Sequence, residues 1–228
     1  MMTVLFLSAL YGAYGLFCIR FLLHALLWWK GVSQPSHALA GRRPPVTVYC
    51  RAVGDILFFT RLLRTNGALW VGEWVFHSSL LLVLLRHLRY VLDPVPAWVW
   101  VLQPWGVVSG YLLPLALVYI VLVRAGTRHE IYSSRSNLFL LVTLFVMSLT
   151  GLMMHACRRP DLVGIKQFMM GMVTFNPAPW PGGVLFTMHI IVVLMIVPVL
   201  PTHIFAAPMT IVEARVREEG LHEVLRGK

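Results

Sequence analysis

Residues 70–92 read WVGEWVFHSSLLLVLLRHLRYVL. A helix rises ~1.5 Å per residue, so this apolar run is long enough to cross a hydrocarbon core of ~30 Å. Yet it carries two histidines, His77 and His87, ten residues apart. Ionisable side chains inside a membrane helix are costly and mark function. Ten residues make about 15 Å of rise and about 80° of rotation, so the two rings share one broad face and sit in different leaflets. A second apolar run, residues 183–207, holds His189 and His203, fourteen residues apart. That spacing is about 21 Å of rise with about 40° of rotation. Two helices with two inward histidines each can clamp two haems, each iron held between a pair of imidazoles. The spacing therefore predicts haem ligation at His77, His87, His189 and His203.

The rest of the chain fits a membrane setting. Of its 228 residues, 58% are hydrophobic, with a mean hydropathy of +0.76, against about 45–50% apolar in ordinary soluble domains. The excess lies in long blocks, which predicts an all-α, polytopic bundle of five transmembrane helices forming a single membrane domain over residues 1–228. The spans fall at about 3–29, 70–92, 100–123, 138–156 and 183–207, with a polar, helical tail over 208–228. The N-terminus is apolar from the start and lacks a basic leader, so it reads as a first span and not as a removable signal peptide. Trp98, Trp100 and Trp105 suit an aromatic belt at the start of span three, and Pro104 and Pro114 predict a kink there. The run Arg42-Arg43-Pro44-Pro45 reads as an extended connector. Residues 46–63 mix apolar and basic side chains. They read either as an interfacial amphipathic helix on anionic lipid or as a short helix packed on a partner subunit. A short outer helix over 163–173 precedes the proline-rich turn NPAPWPGG.

Net charge is +10, but the positive residues sit in loops on alternate sides, so membrane topology and not nucleic acid accounts for it. Setting aside Arg20, Arg86 and Arg89 within the spans, Lys and Arg divide thirteen to three between the two sides. By the positive-inside rule the N-terminus is outside and the C-terminus in the cytoplasm, in the cell inner membrane. Span two then runs outward and span five inward. His77 pairs with His203 on the cytoplasmic haem, and His87 with His189 on the outer one. Three cysteines, Cys18, Cys50 and Cys157, form no C-x-x-C. That argues against a zinc cluster, covalently attached haem, or an iron–sulfur cluster held by this chain alone.

Further residues surround the histidines. Arg86 and Arg89 flank His87 and are candidates to pair with haem propionates, with snorkelling to headgroups as the alternative. Arg20, one turn from His24, offers the same at the inner end of span one. Glu73, one turn before His77, is expected to pair with Arg61 or Arg64, or else to orient His77 or take part in proton movement. His155 reads as an interfacial histidine, and Met169, Met170 and Met172 as packing residues. A different class of reading is a haem-free anchor or small transporter whose histidines bind a metal or relay protons; no inverted repeat supports it.

These motifs bear a family resemblance. The chain resembles the gamma subunit of respiratory nitrate reductase and its relatives, dihaem membrane cytochromes b. That family carries paired histidines ten apart in its second span, as at His77 and His87. Its last span resembles FTMHIIVV around His189 and HIFAAP around His203, and GMVTF before the outer turn is also similar. The resemblance implies two haem b groups on those four histidines and quinol, expected to be menaquinol, oxidised near the outer haem. It also implies iron–sulfur partner subunits on the cytoplasmic side, further redox subunits outside, and no nucleic acid. Arg86 stands where the nitrate reductase pattern has glycine. Gln103 lies near the place of a lysine linked there to quinol, and the last histidine pair is one turn closer together. These departures point to a relative, such as the cytochrome of a sulfite-reductase-linked or heterodisulfide-reductase-like complex.

Overall fold

The apolar blocks fold as helices, because a backbone in lipid must satisfy its own hydrogen bonds. The computed structural model describes residues 2–32, 45–126, 135–157 and 160–226. The connector residues Arg42, Arg43 and Pro44, with Arg128, Arg158, Arg159 and the last two residues, lie outside the described residues. In order the helices are α1 (Met2–Val32), α2 (Val46–Phe58), α3 (Thr60–Thr65), α4 (Gly67–His87), α5 (Ala97–Val101), α6 (Gln103–Gly126), α7 (Arg135–Ala156), α8 (Leu162–Val173), α9 (Val184–Ile196) and α10 (Leu200–Arg226). A 3-10 turn, Leu88–Tyr90, extends α4. No strand occurs among the described residues.

The chain is thus an all-α, multi-pass membrane protein. Among the described residues, four segments are each long and apolar enough to cross a bilayer: Met2–Lys30, Gly67–Tyr90, Gln103–Gly126 and Asn137–Ala156. A fifth crossing requires α9 and α10 to be counted as one interrupted span. The run expected as one helix over 183–207 breaks at residues 197–199. Pro198 and Pro201 explain the break: each lacks an N–H and disfavours helix in the residue before it. The 46–63 segment is likewise divided. Phe59 takes a left-handed conformation (φ 51°, ψ 39°) between α2 and α3, and Thr60 donates to Asp55 Oδ1 across the joint.

Two compact units make up the chain: Met1–Ala13 with Ala68–Ile196, and Tyr14–Gly67 with Val197–Lys228. In the first unit α4 and α6 run antiparallel and approach closely at two glycines. A Cβ on Gly72 would come within 2.7 Å of Tyr119 Cδ1 and 2.9 Å of Ile120 Cγ1, and one on Gly106 within 2.9 Å of Arg86 Cβ. Each glycine leaves room for side chains of the facing helix, a close fit that small residues allow between membrane helices. At the end of this unit that carries α8, Phe6, Ile165, Phe168, Phe186 and Ile190 form a buried cluster. Trp180 stacks on Phe6 at 4.1 Å between ring centroids and meets Phe168 edge-on at 5.1 Å. Met169 packs against the same cluster, as expected. Asp161 caps α8 by accepting from the Val163 N–H at 3.1 Å.

In the second unit α2 packs on the distal part of α10. Asp55 is buried and accepts from Arg215 Nε at 2.6 Å. Arg61 pairs with Glu218, which also meets Arg215 at 3.3 Å. Arg20 Nη1 donates to the Pro198 carbonyl at 2.9 Å, satisfying an oxygen at the helix interruption. His24 Nε2 lies 3.2 Å from Thr202 Oγ1 just beyond it.

Candidate functional site

His87 is the last residue of α4 and His189 the sixth of α9. The fold brings their rings together in nearly parallel planes: centroids 6.5 Å apart, planes 9° from parallel. Two metal–imidazole bonds of about 2 Å, with a ring radius of roughly 1 Å at each end, come to about 6 Å. The separation therefore matches one metal ion held between two imidazoles. It is too wide for the rings to hydrogen-bond each other.

The second nitrogen of each ring is already engaged. His87 Nδ1 lies 2.7 Å from the Val83 carbonyl one turn back. His189 Nδ1 lies 3.0 Å from Thr150 Oγ1 on α7. That hydroxyl sits 2.9 Å from the Met147 carbonyl and 3.0 Å from Val146 O, so its single proton goes to its own helix. Its lone pair is left to accept from His189 Nδ1–H. Both rings thus carry the proton on Nδ1 and keep the Nε2 lone pair for a metal, the arrangement that an acceptor behind a ligating histidine imposes on it. Gly151, one residue on from Thr150, lies against the ring: a Cβ there would make an ordinary contact, 3.5 Å from His189 Cε1.

Charge also converges here. Arg86 Nε and Arg89 Nε are buried and lack a hydrogen-bond partner. Arg89 also donates to the Tyr90 hydroxyl and lies over that ring, 4.6 Å from its centroid; Tyr90 meets the His87 ring edge-on at 5.9 Å. Two buried guanidinium N–H groups without acceptors suit the carboxylates of a haem, since leaving such donors unmatched is costly. The residues at this end therefore fit that group. Gln103 opens α6, one turn before the Gly106 against which Arg86 lies.

Of the other expected ligands, His77 shares α4 with His87. His77 Nδ1 lies 2.8 Å from the Glu73 carbonyl, repeating the one-turn-back bond of His87, and its ring meets Phe76 edge-on at 4.8 Å. His203 belongs to the second unit and is exposed. The expectation for Glu73 needs correcting. Its carboxylate pairs with Arg124 of α6 at 2.7 Å, with His77 Nδ1 at 3.7 Å, whereas Arg61 goes to Glu218. The α4–α6 contact sets this, because it brings the end of α6 level with the start of α4. Arg20 is engaged by the Pro198 carbonyl. His155 lies edge-on to Tyr111 at 6.2 Å.

Sequence reasoning missed Thr150, Gly106 and Arg124. Thr150 was visible only as one of several hydroxyls in an apolar span. Thr143 and Ser148 bond carbonyls of their own helix, and that commonplace habit masks the one that also reaches a histidine.

Two relatives are similar to this chain. Both are named Hdr-like menaquinol oxidoreductase cytochrome b-like subunit. The protein from Archaeoglobus fulgidus is 33% identical over 149 residues, covering 55% of this chain and 45% of its own length. That from Archaeoglobus profundus is 31% identical over 121 residues, covering 48% of this chain and 36% of its own. The matches span less than half the length of either relative. Their name agrees with the heterodisulfide-reductase-like branch expected from the sequence. No protein-family model matches the chain, and no solved structure matches it.

Proposed function

We propose that this chain is a dihaem cytochrome b subunit, passing electrons between membrane menaquinone and iron–sulfur subunits on the cytoplasmic side. The observation that carries the reading is the His87–His189 pair: near-parallel rings at 6.5 Å, each with Nδ1 engaged by an acceptor. Similarity to proteins named as menaquinol oxidoreductase subunits supports the quinol link.

Haem, when bound, supplies reversible one-electron chemistry; the protein supplies ligation, orientation and electrostatics. His87 and His189 hold the outer iron through Nε2. Val83 and Thr150 fix the ring orientations and raise the basicity of the ligating nitrogens. Arg86 and Arg89 offer positive charge to the propionates, and the packed cluster around Phe168 and Trp180 shields this end from water. The inner haem is assigned to His77 and His203 on their spacing in the sequence and on the antiparallel course expected of their spans. Quinone is assigned to the outer end, beside His87, Gln103 and α8, where polar groups meet apolar walls.

The test is a redox titration of the purified chain, followed by its visible spectrum, with single His→Ala variants. The intact protein should show two low-spin haems reducible by a menaquinol analogue. His87→Ala and His189→Ala should abolish the same haem signal, and His77→Ala and His203→Ala the other. A protein that binds no haem, or a joint effect of His77→Ala and His189→Ala on one haem, would overturn the assignment.

A further inference from the structure

Helix α2 has two apolar faces, and only one of them is covered. At ~100° per residue, Val48, Ala52 and Asp55 fall together on the buried side. Arg215 of α10 clamps that side through Asp55 at 2.6 Å. On the opposite side Val46, Tyr49, Val53 and Leu57 form a stripe along the whole helix, exposed to 75%, 45%, 52% and 61%. No described residue covers it. Phe58, the last residue of α2, and Leu63 of α3 are exposed as well, at 57% and 48%.

We propose that this open face of α2 is a lipid-binding surface that lies in the plane of an anionic bilayer, with α2 held between lipid and α10. Two observations select lipid as the occupant. The first is charge. Between residues 30 and 66 Asp55 is the sole acid, against Lys30, Arg42, Arg43, Arg51, Arg61 and Arg64. Asp55 points to the buried side and is matched by Arg215, and Arg51 lies on the flank toward Glu218 and Glu219 of α10; Arg64, just beyond α2, is exposed. A basic segment that carries an open apolar stripe is what anionic headgroups attract.

The second is the tether. α3 ends at Thr65 and the membrane-crossing α4 begins at Gly67, with Asn66 alone between them. The six residues of α3 span ~9 Å, so the end of α2 cannot leave the bilayer surface by much more than that. An apolar stripe held there meets acyl chains before it meets any soluble protein. Tyr49, amphipathic itself, suits the boundary. This inference is independent of haem and rests only on the chain spanning a membrane.

Cys50 lies at the edge of the stripe and is exposed, which supplies the probe. The 228-residue chain carrying Cys18→Ser and Cys157→Ser is labelled with a nitroxide at Cys50. It is then placed in nanodiscs of phosphatidylglycerol with phosphatidylcholine, both alone and assembled with its partner subunits. The label should become accessible to oxygen and protected from a water-soluble nickel chelate in both samples, and lose part of that protection in pure phosphatidylcholine. A second measurement needs no substitution: a photoactivatable phosphatidylglycerol should crosslink the wild-type chain within residues 46–58. A label open to the nickel chelate in both samples, with no lipid adduct on α2, overturns the proposal. So does a label open in the isolated chain but closed to both reagents in the complex, because the face would then belong to a protein.

Discussion

Thr150 joins two helices through one hydroxyl. It donates to its own helix at Met147 and accepts from His189 Nδ1 at 3.0 Å, so it fixes both the tautomer and the orientation of that ring. An Nδ1–H that donates makes Nε2 a better donor to a metal, which favours the oxidised iron. Thr150→Val keeps the shape and removes the acceptor. On the proposed function, the outer haem should then titrate at a higher potential while the inner haem is unchanged, and haem affinity at the outer site should fall by about 10–100-fold. A redox titration resolving the two haems checks both. Equal shifts in the two would mean that Thr150 does not act through His189. His87 and His77 differ from His189 in using carbonyls of their own helix, Val83 and Glu73, so no single side-chain replacement loosens them in the same way.

At the scale of elements, the α2–α10 contact hangs on a buried carboxylate. Burial by itself pushes the Asp55 carboxyl up. The hydrogen bonds from Arg215 and Thr60 and the charges of Arg215 and Arg61 outweigh it, so the group sits below its ordinary value of 3.8. A depressed folded-state pKa contributes stability that is fully present above 3.8, the unfolded value, and is lost as pH falls through the lower folded value. The α2–α10 contact should therefore hold at neutral pH and open in acid below about pH 4. Hydrogen exchange of the α2 amides across that range measures it. Asp55→Ala should open the same contact at pH 7, because it removes the buried partner of Arg215 and leaves that guanidinium only the more exposed Glu218; breaking a buried pair costs at most about 3–5 kcal/mol. If α2 exchange in Asp55→Ala matched the wild type at pH 7, apolar packing through Val48 and Ala52 alone would be holding the helix.

At the scale of the whole molecule, the thirteen-to-three division of Lys and Arg sets the expected orientation, and the pairing of inner and outer haems depends on it. A reporter fused after residue 228 should be cytoplasmic, and one inserted between residues 158 and 182 should be external. Interchanged signals would reverse the orientation and exchange the inner and outer labels, leaving the His87–His189 pair intact. The similar archaeal proteins share about half of this chain and extend beyond the matched region.

Length and apolar composition in the sequence were enough to determine the helices, because a segment that crosses lipid has no other way to satisfy its backbone. Residues 3–29, 100–123 and 138–156 emerge as Met2–Val32, Gln103–Gly126 and Arg135–Ala156. The histidine spacing was equally legible, since rise per residue converts sequence distance into depth. What the sequence could not carry is the rotation of each helix about its axis. A span apolar all round, as α4 and α9 nearly are, gives no signal of which side meets which neighbour. Only the tertiary structure decided that Glu73 meets Arg124 and not Arg61, and that Arg86 lies on Gly106. It alone decided that Thr150 is the hydroxyl behind His189, and that Asp55 turns inward to leave the other face of α2 bare. Each of these depends on atoms from two helices meeting at a distance of a few ångströms, which the one-dimensional pattern of either helix does not contain.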